Sequence, residues 1–367
     1  MSHSPQAYIA GMGMITAIGA DAPSTAAAVN AEISGYTASE YSNHAGQLIT
    51  MANVPDEVFS MFPVGINEGD YYSDHADRSI KMSLIAIKEA LAMPLARQTL
   101  APLIPLVLVM PEPQAGIEPI DHQQLINNLL EYGELPFSPE LVTRIHTGRA
   151  GGIQGLERAF RYLYELDYDY VLIGGSDCYL NHPRLDALDA AERLLAPGVM
   201  DGFAPGEGAG FLLLTRQPQH ALNQNNHIVA LHPPGIGEEP GHIHAREDQI
   251  YRGDGLDQAF KGALKAHRGA DIQRIYSSMN GEHYWAKECG VALMRSQAHF
   301  QEAISIIHPA DCFGDLGAAT APVLIALAAQ HLLTKQQSAA THLVYSAADG
   351  PLRAAVRVEK IAQAANH

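Results

Sequence analysis

A chain of 367 residues, 47% hydrophobic and 17% charged, has an ordinary globular composition, with room for one large or two medium domains. Its 40 acidic and 23 basic residues leave a net charge of −17, a field that repels nucleic acid and anionic membranes, so neither is expected as a partner. Three cysteines (Cys178, Cys289, Cys312) build no disulfide framework and fit no zinc spacing, which points to a reducing cytoplasm. No run is expected to reach the ~18–20 apolar residues of a membrane span, and the N-terminus lacks the basic start of a secretory signal.

In chain order, AYIAGMGMITAIG opens as a strand, with Gly11, Gly13 and Gly19 expected to break it into strand, turn and helix. RSIKMSLIAIKEALAM (78–93) carries apolar residues at helical spacing, and APLIPLVLVM (101–110) reads as a buried strand. PIDHQQLINNLLEYG is an amphipathic helix, SPELVTRIHTG a strand, GGIQGLERAFRYLYELD a helix entered with almost no loop, and YDYVLIGGSDCY a central strand. The second half repeats this order: strand HIVALHPPGIG, helix DGLDQAFKGALKAHRG, strand IQRIYSSMNG, apolar helix LGAATAPVLIALAAQHLL, then strands THLVYSAADG and RAAVRVEKI. The alternation predicts an α/β protein with stacked layers and mostly parallel sheets. Helix 317–333 holds the place in its half that 150–166 holds in the first. This implies a duplicated unit with halves 1–217 and 218–367, and QPQHALNQNNH (217–227) as the boundary.

DYDYVLIGGSDCYLNHPRLDAL and DGFAPGEGAGFLLL (201–214), together with the opening strand, resemble the β-ketoacyl-(acyl-carrier-protein) synthases of the thiolase-fold condensing enzymes. The resemblance covers essentially the whole chain. It implies a thiolase-like fold, with duplicated βαβ-type halves in α-β-α-β-α layers. In the D-G-F-x-P-G-E-G-A-G turn, Gly202, Gly206, Gly208 and Gly210 are expected to permit positive φ and close backbone approach. Glu207 is expected to be a structural, hydrogen-bonded carboxylate.

The resemblance also implies a Cys nucleophile at a helix start and two His. Here the nucleophile position falls on Arg149, or on Gly148 if the loop slips by one residue. The first His position falls on Asn280, and the second on Gly314 or Asp315. SAADGPLRAA (346–355) stands where the family has its closing Gly-rich turn. Two readings of the cavity follow: an anion site built on Arg149, or an Arg149–Asp315 ion pair that plugs it. The second is preferred, since neither charge is then left unpaired.

Cys312 and His283 are the candidate replacements for the lost groups; the competing readings are a small buried hydrophobe and an exposed loop residue. Cys178 reads as core, and Cys289 as a helix residue without a partner. His242 and His244 would share one face of a strand and could ligate a metal, but among 18 His such a pair is expected by chance. The tyrosines Tyr162, Tyr164, Tyr168 and Tyr170 read as packing. No metal and no cofactor are expected.

The preferred function is a non-catalytic partner, adaptor or scaffold subunit, and the resemblance implies a homodimer through the strand ELVTRIHTG. Its protein partner would be a sibling synthase or a secretion-type effector. The alternative is an active acyltransferase with a rearranged site on Cys312 or His283. An acidic acyl carrier protein is disfavoured as a partner by the charge, although Arg144, Arg149, Arg158 and Arg161 lie near the expected site.

Overall fold

The computed structural model describes residues 5–62, 74–96, 103–114, 117, 121–133, 136–246, 248–269, 271–335 and 340–363. Residues 97–102 and 118–120, which include the starts of two predicted elements, lie outside the described residues. The strands are β1 (Ala7–Thr16), β2 (Thr37–Ser42), β3 (Leu48–Met51), β4 (Leu106–Val109), β5 (Val142–Ile145), β6 (Tyr170–Cys178), β7 (Glu207–Thr215), β8 (His227–Leu231), β9 (Gly235–Glu238), β10 (Ile272–Ser277), β11 (Phe300–Ile307), β12 (Ala340–Ala347) and β13 (Leu352–Ala362). The helices are α1 (Ala22–Asn30), α2 (Asp74–Ala96), α3 (His122–Gly133), α4 (Gly151–Gln154), α5 (Leu156–Tyr164), α6 (His182–Ala190), α7 (Asp254–Ala263), α8 (His283–Arg295), α9 (Ala310–Phe313) and α10 (Thr320–Thr334).

Among the described residues one continuous sheet runs β11-β10-β12-β13-β8-β1-β7-β6-β4-β5, with β9 beside β13 and β2–β3 a separate hairpin. The duplication is visible strand by strand. In the first half β1–β7 and β7–β6 are antiparallel, while β6–β4 and β4–β5 are parallel. In the second half β8–β13 and β13–β12 are antiparallel, while β12–β10 and β10–β11 are parallel. The sheet is therefore mixed, which corrects the expectation of mostly parallel strands. A two-pair junction, Ala7 with Leu231 and Tyr8 with Ala230, joins the halves. The inner faces of both halves and α10 contribute to one apolar cluster, so the central helices form the middle layer of an α-β-α-β-α stack.

The opening strand is not broken. β1 is continuous through Gly11 and Gly13, with a register shift between Ile9 and Gly11. These glycines serve helix packing. A Cβ on Gly11 would lie 1.9 Å from the Ala90 carbonyl oxygen, and one on Gly13 2.0 Å from that of Ala86. The second half repeats the device: Cβ atoms on Gly235 and Gly237 would lie 1.9 and 2.0 Å from the carbonyl oxygens of Ala259 and Gly255. Two strand residues rise about 6.7 Å and four helical residues about 6 Å, so a Gly-x-Gly strand matches one turn of a helix laid along it. GMG and GIG are thus one motif written twice, bedding α2 and α7.

The turn at 201–210 also departs from expectation. Gly202, Gly206, Gly208 and Gly210 are not among the positive-φ glycines. Their need is space alone: a Cβ on Gly206 would meet the Phe313 carbonyl oxygen at 2.3 Å, and one on Gly208 that of Ile15 at 2.6 Å. The stretch Gly317–Thr334 also corrects the expectation about apolar runs. By length and composition it could cross a membrane, with mean hydropathy 1.4, yet 83% of it is buried inside this fold as the central helix.

Candidate functional site

Arg149 lies in the single turn Gly148–Ala150 between β5 and α4, entered through Gly148 at φ 50°. Its carbonyl accepts from the Ser346 hydroxyl at 2.8 Å. The side chain is 5% exposed and points to Asp315, its Nη1 donating to Oδ2 at 2.8 Å. Asn280 Nδ2 donates to the same oxygen at 2.8 Å. Three of the residues that the sequence set at the Cys and His positions, Arg149, Asn280 and Asp315, therefore meet in one buried contact.

The segment carrying Asp315 is held by the glycine-rich turn. Gly206 N donates to the Asp315 carbonyl and Asp315 N to that of Ala204, each at 2.9 Å. Gly314 has φ 76°, and a Cβ there would sit 2.7 Å from the Ala204 oxygen, so glycine is required on both counts. Beneath the turn, Glu207 accepts from Val54 N at 2.7 Å, from Arg78 Nε at 2.8 Å and from Cys178 Sγ at 3.0 Å. It is the hydrogen-bonded scaffold carboxylate expected from the sequence.

The contact is part of a larger network. Arg149 Nη2 donates to Asp349, and its guanidinium lies 4.3 Å from the Trp285 ring centroid. Arg193 grips Glu282 with two bonds, at 2.6 and 2.9 Å, and reaches Asp349 at 2.7 Å. Trp285 Nε1 donates to Glu282 at 3.0 Å. Asp315 Oδ1 accepts from the Tyr179 hydroxyl at 3.1 Å and from Gly317 N at 2.9 Å. Asp315 thus receives four donors, which fills a carboxylate's capacity.

Burial opposes the charge on Arg149, but Asp315 and Asp349 outweigh it and hold the guanidinium above its usual range. Burial likewise lifts the Asp349 carboxyl, while Arg149 and Arg193 outweigh it and hold it well below the usual carboxylate range. Tyr179 is pushed up by burial and then by Asp315, so its hydroxyl stays a donor. The site is a set of fixed charges in mutual contact. Arg149 spends its two terminal nitrogens on carboxylates, and no thiol shares a hydrogen bond with the network among the described residues.

The replacement candidates lie elsewhere. His283 starts α8 at the surface, 69% exposed by side chain, with Nδ1 3.0 Å from Asp201. Cys312 is buried in the central cluster on α9, and its carbonyl accepts from Gly35 N at 2.7 Å. Burial first and then Asp311 push its thiol pKa up. Cys178 is raised by burial and by Glu207, and Cys289 by burial and then by Glu288. His242 and His244 lie in an irregular turn, not on a strand, and His244 approaches Asp349 at 3.8 Å. Arg144 is exposed and donates to Gln123, and Arg161 pairs with Glu165 on the surface of α5. Tyr162 packs edge-on against Tyr168, and Tyr170 stacks on His220.

Sequence reasoning missed Asp349, Arg193, Glu282, Tyr179 and Trp285. Asp349 stands in the segment marked as a lost Gly-rich turn, and Glu282 two residues past Asn280, so both positions were visible without their role. Arg193, far along the chain after α6, gave no signal.

No protein-family model and no curated protein matches the sequence. Solved structures do. A chain of the ishigamide ketosynthase/chain length factor aligns over 98% of this chain and 100% of its own, with TM-score 0.69 and 17% identity. The AntDE:AntF complex, a type II polyketide ketosynthase with its acyl-carrier protein, aligns over 97% and 99%, with TM-score 0.72 and 14% identity. The ketosynthase ApeO in complex with its chain length factor ApeC, from Xenorhabdus doucetiae, aligns over 98% and 99%, with TM-score 0.66 and 15% identity.

The fold is that of the ketosynthases. At these identities the likeness carries the fold alone. In this chain the turn Gly148–Ala150, between β5 and α4, meets the turn Gly317–Ala319, between α9 and α10. The Arg149–Asp315 contact lies at that meeting.

Proposed function

We propose that this chain is a non-catalytic ketosynthase-fold subunit, a scaffold or partner rather than an acyl-transferring enzyme. One observation carries the reading: Arg149 and Asn280, which the resemblance sets against the Cys and the first His, both donate to Asp315, which with Gly314 is set against the second His. An acyl-transferring site needs a nucleophile that forms a thioester and a base or donor beside it. In this network a guanidinium replaces the nucleophile, and the donors around Asp315 are already spent. The raised thiols of Cys178, Cys289 and Cys312 support the same reading, since the thiolate is the attacking species.

Incubation of the purified protein with acetyl, malonyl and medium-chain acyl thioesters is expected to leave its intact mass unchanged. An adduct mapping to Cys312, with His283 needed for its formation, would make this a rearranged acyltransferase and overturn the proposal.

A scaffold subunit needs a pairing surface, and we infer that β5 supplies it. It is the terminal strand of the sheet, bonded on one side to β4, with Arg144 exposed and Val142, Thr143 and Ile145 half-buried. Among the described residues no strand pairs with its outer edge, and such an edge is a template for another strand. A second copy, through a two-fold axis, supplies it, and a sibling synthase of the same fold would present the same surface. Light scattering on purified protein at micromolar concentration is expected to give twice the chain mass. A single-chain mass there would remove the homodimer from the proposal.

A further inference from the structure

On the inner face of the second half-sheet, Ser305 of β11, Arg274 of β10 and His342 of β12 stand side by side in register. The next row on this face is Ile307, Tyr276 and Val344. The corresponding face of the first half carries a row of Thr143, Val107 and Ile173, none of them charged. The duplicated fold therefore does not itself require a cation at this place.

A cavity of about 250 Å³ opens over the row, lined by Arg274, Tyr276, Ser305 and Ile307 and closed by α1 and by Leu327 of α10. Glu32, past the end of α1, also lines it and is solvent-exposed. Arg274 neighbours the Tyr276 hydroxyl, and among the described residues no carboxylate forms an ion pair with it within 4.0 Å. His331 of α10 lies over His342 with ring centroids 5.1 Å apart, and the Tyr276 ring is 5.7 Å from His342. Neither His Nδ1 has a hydrogen-bond partner among the described residues.

The two imidazoles are held neutral. Burial, then Arg274 and Lys335, lower His331 to about 4. Burial, then His331 and Arg274, lower His342 to about 3. At neutral pH Arg274 thus faces the cavity with no carboxylate paired to it among the described residues, beside two hydroxyl donors and an apolar wall.

We propose that this cavity is a binding site for a small organic carboxylate. Arg274 pairs with the carboxylate, the Tyr276 and Ser305 hydroxyls donate to it, and Val29, Ile307 and Leu327 cover a short hydrocarbon body. Glu32 at the mouth orients the ligand with its carboxylate inward. The site is separate from the Arg149 network and does not depend on the function proposed above. Burial does most to hold the imidazoles neutral and the Arg274 charge adds to it; a bound carboxylate offsets that charge, so ligand binding and His protonation favour each other.

The test uses butyrate, with butylamine as the control of opposite charge, on the whole chain at pH 7. Calorimetry is expected to show one saturable site for butyrate and none for butylamine. Arg274→Gln is expected to weaken butyrate at least tenfold, and Leu327→Trp, which keeps Arg274 and fills the cavity, to abolish binding. NMR titration is expected to show the His331 and His342 ring signals shifting to higher pKa with butyrate bound. Absence of saturable butyrate heat at millimolar concentration, or unchanged affinity in Arg274→Gln, overturns the proposal. So does equal binding of butylamine.

Discussion

Asp315→Ala is expected to destabilise the protein by about 3 kcal/mol, near the lower end of the cost of breaking a buried ion pair. The substitution removes one of the two carboxylates that neutralise Arg149, and it strands the Asn280 amide, the Tyr179 hydroxyl and Gly317 N. Asp349 remains on Arg149, which keeps the loss from being larger. Asp315→Asn keeps an acceptor for Tyr179 and Gly317 N and is expected to cost less. A cycle of Arg149→Met with Asp315→Asn, followed by urea unfolding, is expected to show a coupling of about 1–3 kcal/mol. Strict additivity would mean that the two side chains do not stabilise each other, and the plugged-site account would fall.

The network also explains how such a cluster survives in a core. Two guanidiniums and three carboxylates would each be costly alone, yet every one has a partner of opposite sign. Arg suits this role because its planar fork engages two carboxylates at once, as Arg149 does with Asp315 and Asp349 and Arg193 with Glu282 and Asp349.

Gly11→Val is expected to abolish soluble expression, or to cost more than about 3 kcal/mol where protein can be recovered. A Cβ there meets a backbone carbonyl, so no side-chain rotation relieves the clash, and α2 must lift from β1. Gly235→Val should do the same to α7. Gly290→Ala is the matched control. It lies in α8 with nothing within 4 Å of the added Cβ, and helix propensity predicts a gain of up to about 1 kcal/mol. Chemical denaturation of the three variants distinguishes glycine that the packing requires from glycine it merely tolerates. A stable, soluble Gly11→Val protein would refute the bedding of α2 on β1.

Much of the fold was legible because its signals are local. Apolar periodicity placed α2, α5, α7 and α10 and the buried strands β4, β6, β10 and β12, and the repeated order of elements showed the duplication. Errors came where one residue type serves two ends. Glycine in β1 was read as a break because positive φ and close approach look alike in a sequence. HIVALHPPGIG was read as one strand, but Pro233 and Pro234 divide it into β8 and β9, as proline's missing N–H predicts. β11, exposed at residues 301–303 and 305, gave too weak a pattern to be named.

By itself the sequence determined the class of fold and the internal repeat, and it placed Arg149, Asn280 and Gly314 or Asp315 where the resemblance would put Cys and His. Each of these depends on residue type at a known spacing. Only the tertiary structure decided that Arg149, Asn280 and Asp315 touch, and that Asp349, Arg193 and Glu282 complete their charges. These residues come from segments up to 200 positions apart. No periodicity records such distances; they are set where two half-sheets close on the central helices, and the pairing of buried charge is settled there.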